Sequence, residues 1–135
     1  MTKRQELAVR QANELRSAGY DISARRAIRM HHGEETKEHL HCKTAVAHIL
    51  AGVGYRVDSE VEHESGVIAD VIGYGLEDRH PVVVELESDY STQLKRENID
   101  KYRYDPIYEV FTFDVTQLPT EIDTLHSQIS KRMGL

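Results

Sequence analysis

The stretch PVVVELE, Pro81 to Glu87, decides how this chain is read. Extended, it sends Val82, Val84 and Leu86 to one side and Val83, Glu85 and Glu87 to the other. Both sides are apolar as far as Glu85, as in a central strand covered on both faces. Two carboxylates then share one face, about 7 Å apart. Acids that close raise each other's pKa and are costly to desolvate, and a divalent cation relieves both problems.

Moving upstream, YGLEDRH (74–80) reads as a turn, and GVIADVIG (66–73) as a second strand laid against the first by a hairpin. Asp70 interrupts that apolar run where no turn explains it. The hairpin brings it toward Glu85 and Glu87, and the three together form a candidate cluster for Mg2+ or Mn2+, which take hard oxygen ligands. Further back, YRVDSEVE (55–62) alternates Tyr55, Val57, Ser59 and Val61 against Arg56, Asp58, Glu60 and Glu62, the pattern of a half-exposed strand. Residues 35–52 carry Cys42, Val46, Ile49 and Val53 at helical spacing and end at Gly52 and Gly54. Glu38 lies in the first turn of that helix, in step with Cys42, where it meets the positive end of the helix dipole or overhangs the acids of the sheet.

Downstream, STQLKRENIDKYRY (91–104) reads as a polar helix and IYEVFTFDV (107–115) as a fourth strand. A last helix follows, capped by Thr120 and lined by Ile122, Leu125, Ile129 and Met133. The fold class is therefore α/β: a mixed four-stranded sheet with helices on its faces, in the order αβββαβ.

A chain of 135 residues, 39% hydrophobic and 30% charged, suits one compact domain, and its single cysteine leaves no internal disulfide. No apolar run reaches the length of a membrane span, and an intracellular, cytoplasmic setting is expected. Net charge is −6, yet residues 1–30 hold seven basic residues against three acids. Residues 1–33 accordingly read as a basic helical arm ahead of an α/β domain at 34–135. Arg25, Arg26 and Arg29 are its phosphate-contacting candidates, joined from the polar helix by Lys95, Lys101 and Arg103. The eight histidines show no zinc-ligand spacing and read as surface residues.

With Asp70 on the second strand and Glu85-Leu86-Glu87 on the third, residues 35–115 resemble the PD-(D/E)XK nuclease superfamily, the restriction-endonuclease-like fold. The resemblance implies metal-dependent hydrolysis of DNA phosphodiester bonds, with Asp70 and Glu85 holding Mg2+ or Mn2+ and Glu38 assisting. It also implies a homodimer, since cutting a duplex takes two sites. The chain departs from the family at Glu87, which stands where the motif has lysine. Glu87 would then serve as general base or second-metal ligand, and Lys43 or Lys95 would restore the missing positive charge. The alternative is a catalytically inactive nuclease-fold module that binds nucleic acid or a protein partner.

Overall fold

The structure, a computed structural model, describes residues 2–22, 36–66, 68–87 and 108–135. Helix α1 spans Lys3–Ser17 and α2 spans Lys37–Val53. Strands β1 (Arg56–Glu62), β2 (Ile68–Tyr74) and β3 (Val82–Glu87) follow, then β4 (Glu109–Asp114) and α3 (Ile122–Met133). The four strands lie in sequence order, β1–β2–β3 antiparallel and β3–β4 parallel, so the sheet is mixed as expected. The expected helix at 91–104 falls outside the described residues.

The sheet divides two cores. On one face α2 and α3 pack Val46, Leu50, Leu125 and Ile129 onto Val71, Val84, Leu86 and Phe113. On the other, Ala8, Ala12 and Leu15 of α1 meet Ile72, Tyr74 and Val83. Fully buried side chains such as Leu15, Leu125 and Ile129 each contribute about 1.5–3 kcal/mol.

Local signals set the helix ends. Thr2 and Gln5 close a reciprocal capping box on α1, and the Thr36 hydroxyl accepts from His39 N at the start of α2. Gly54, at φ 119°, ends α2 in the left-handed region that favours glycine. On α3 the expected Thr120 cap is replaced by Glu121, whose carboxylate accepts from Asp123 N and Thr124 N. Ile122, expected in the apolar stripe, is 54% exposed, while Leu125, Ile129 and Met133 are buried.

Residues 3–22 are built into the body. Gln11 is buried beneath α1, accepting from Gly75 N at 2.6 Å and donating to Arg79 O at 2.9 Å. It thereby ties α1 to the β2–β3 turn. Arg4 donates to Gly54 O and Arg16 to Ile22 O, so two of the arm's cations stabilise the fold. The arm's remaining residues, 23–33, lie outside the described set, Arg25, Arg26 and Arg29 among them.

β1 is not the half-exposed strand its alternation predicts. Asp58 and Ser59 are both fully buried, and Glu60 takes φ 51° in mid-strand. Val57 packs toward α2, whereas Val61 packs toward α1. Opposite them Val71 packs toward α2 and Ala69 toward α1. The two-residue period slips by one on both strands at the same rung. Glu60 and Asp70 occupy that rung, between the pairs Ser59↔Val71 and Val61↔Ala69.

Candidate active site

The slip turns two acids toward α2. His39 and Lys43, one turn apart on the same face of that helix, meet them. Lys43 Nζ lies 2.9 Å from Glu60 Oε1, and His39 Nε2 lies 3.1 Å from Asp70 Oδ1. The Lys43 side chain is wholly buried and that of Glu60 is 10% exposed. Burying each ion costs several kcal/mol, which a single good pair rarely returns. The left-handed backbone at Glu60 adds about 1–3 kcal/mol of strain. A strained acid in a buried charge cluster is a poor route to stability and a common mark of a functional site.

Asp70 also joins the third strand. The β2–β3 backbone ladder runs through Val71↔Val84, and beyond it the Asp70 Oδ2 atom accepts the Leu86 N–H at 2.6 Å. Asp70 is thus held beside the peptide that follows Glu85. His39 Nε2 is 3.2 Å from Leu86 O as well. Both neighbours of Nε2 are acceptors, so the hydrogen-bond network assigns the proton to that nitrogen. Two oxygens, Asp70 Oδ1 and Leu86 O, therefore converge on one point.

Glu85 and Glu87 are both buried, at 2% and 3% exposure. Val84 and Leu86 face α2 while Val83 faces α1, so alternation puts both glutamates on the α1 side. Among the described residues no three His, Cys, Asp or Glu side chains are grouped to hold a metal ion. The expected three-carboxylate cluster is not assembled; a pair of oxygens is.

Glu38 is exposed on the first turn of α2. Burial, and secondarily the Glu38 charge, pushes the Cys42 thiol up from its ordinary pKa, so this cysteine is a core residue without thiolate character. Lys95, Lys101 and Arg103 lie outside the described residues, as do the three arm arginines.

Sequence reasoning missed His39 and Glu60. His39 is no surface residue: its side chain is 16% exposed and paired. No spacing within a single element pointed to either residue, because their partners lie on other elements. No helix among the described residues is long and apolar enough to cross a membrane. The chain matches no family model, no curated protein and no solved structure.

Proposed function

We propose that the protein is a metal-dependent nuclease that hydrolyses DNA phosphodiester bonds at the end of β3. The observation that carries this reading is the two charged pairs, His39 with Asp70 and Lys43 with Glu60, between α2 and the sheet, with Asp70 held on the Leu86 peptide. Asp70 Oδ1 and Leu86 O would hold Mg2+ or Mn2+, with water completing the coordination. Such an ion polarises the scissile phosphate and lowers the pKa of bound water.

The chain's own residues do the rest. The Leu86 N–H fixes Asp70 through Oδ2, leaving Oδ1 directed at the site. Lys43 supplies the positive charge that Glu87, in the lysine position of the motif, does not. Glu60 Oε1, 2.9 Å away, holds the Lys43 Nζ in place inside the core. His39 donates from Nε2 and fills the point where the two oxygens meet, so the imidazole must yield that point to an incoming cation. A homodimer would place two such sites on a duplex.

The separation of Glu85 and Glu87 from Asp70 by face favours a second reading, an inactive nuclease-fold module that binds nucleic acid or a protein partner. Plasmid and linear DNA incubated with Mg2+ or Mn2+, and with EDTA, separate the two. The nuclease reading expects metal-dependent cleavage by the wild type that is lost in Asp70→Asn. The second expects no cleavage and DNA binding indifferent to that substitution.

A further inference from the structure

A second cluster of metal-ligating side chains lies away from the acids, at the seam between α2 and α3. His48 of α2 and His126 of α3 approach with ring centres 5.4 Å apart and planes inclined at 54°. We propose that this pair is a site for a borderline transition ion of the Zn2+ type, bridging the two helices, with water completing the coordination.

The geometry carries the proposal. Zn–N bonds of about 2.0–2.1 Å, and about 1.1 Å more from nitrogen to ring centre, put two imidazoles on one tetrahedral ion roughly 5 Å apart, centre to centre. The observed 5.4 Å is close to that separation. A tilt of 54° is far from the parallel offset arrangement of stacked rings. Among the described residues neither ring has a hydrogen-bond or ion-pair partner, so no protein group competes with an ion for the ring nitrogens. His48 is exposed and His126 half-buried, which gives an ion access from solvent.

The backbones are held by the core beneath: Ile49 and Leu50 flank His48 on one side of the seam, and Leu125 and Ile129 are fully packed on the other. Two ligands on rigid elements lose little entropy on binding. Imidazole suits Zn2+, Ni2+ and Cu2+ and is a poor ligand for Mg2+, so this site and the acidic one sort ions by softness. Binding would fasten α2, which carries His39 and Lys43, to the C-terminal helix.

The test is thermal unfolding of the full chain at neutral pH, with and without Zn2+, in wild type, His48→Ala, His126→Ala and Asp70→Asn. Zn2+ at 100-fold its dissociation constant should raise the wild-type Tm by roughly 8 °C. Each histidine variant should fold and lose that rise, while Asp70→Asn should keep it, separating this site from the proposed nuclease centre. Calorimetric titration should give one Zn2+ per chain. No rise in the wild type, or an undiminished rise in both histidine variants, overturns the proposal.

Discussion

Replacing Lys43 by methionine removes the Nζ that sits 2.9 Å from Glu60 and leaves that carboxylate, only 10% exposed, without its counter-ion. Breaking a buried pair from one side costs about 3–5 kcal/mol, whereas replacing both partners by uncharged groups of similar size is close to neutral. At this chain length 1 kcal/mol corresponds to roughly 3–4 °C in Tm, so Lys43→Met should melt about 9–20 °C below wild type. Glu60→Gln should also melt below wild type, since it removes the carboxylate paired with a wholly buried lysine. The double variant should return to within about 1 kcal/mol of wild type. On the proposed nuclease reading, cleavage should nevertheless stay lost in the double variant, because the Lys43 charge is gone. Differential scanning fluorimetry of the four proteins, with plasmid cleavage in parallel, reads both quantities. Additive losses would mean that Lys43 and Glu60 are not coupled. A double variant that cleaves at the wild-type rate would mean the pair is only structural.

Other expectations follow from single features. Gly75→Ala adds a Cβ within 3.0 Å of the Ala8 Cβ at φ 82°, where alanine is already strained; a loss of about 1–3 kcal/mol in urea unfolding is expected, with α1 loosened first. Native Cys42 should resist thiol reagents until the core opens, so its labelling rate should track denaturant concentration. Hydrogen bonds from the Thr124 side chain, Thr124 N and Asp123 N hold the Glu121 carboxyl below the ordinary carboxylate range. Its contribution is therefore complete above the unfolded pKa and lost as pH falls through the folded one. Acid titration by circular dichroism should show wild type losing its advantage over Glu121→Gln at the acid end, with the two converging there.

The α/β architecture was legible because its signals are local. Period-two and apolar runs gave the strands, Gly52 and Gly54 marked the end of α2, and Asp70 stood out as an acid that no turn explained. The site was only partly legible, because its assembly depends on the interrupted alternation at Glu60 and Asp70. A pattern read as strictly alternating puts Asp58 and Glu60 in water; the chain buries Asp58 and turns Glu60 onto Lys43. Lys43 was named for its charge, but nothing in the helix pattern tells a buried lysine from a surface one. His39 escaped because its value lies in partners 31 and 47 residues away, which no spacing within the helix reveals. The α3 cap moved from Thr120 to Glu121 because the longer carboxylate reaches two backbone N–H groups and the Thr124 hydroxyl at once.

Diffraction from crystals soaked in Mn2+ and measured at an anomalous wavelength addresses the metal site most directly. An anomalous peak within bonding reach of both Asp70 Oδ1 and Leu86 O, with the His39 ring displaced from it, is the predicted result. Full occupancy of a manganese site elsewhere, with His39 still bridging those two oxygens, would contradict it.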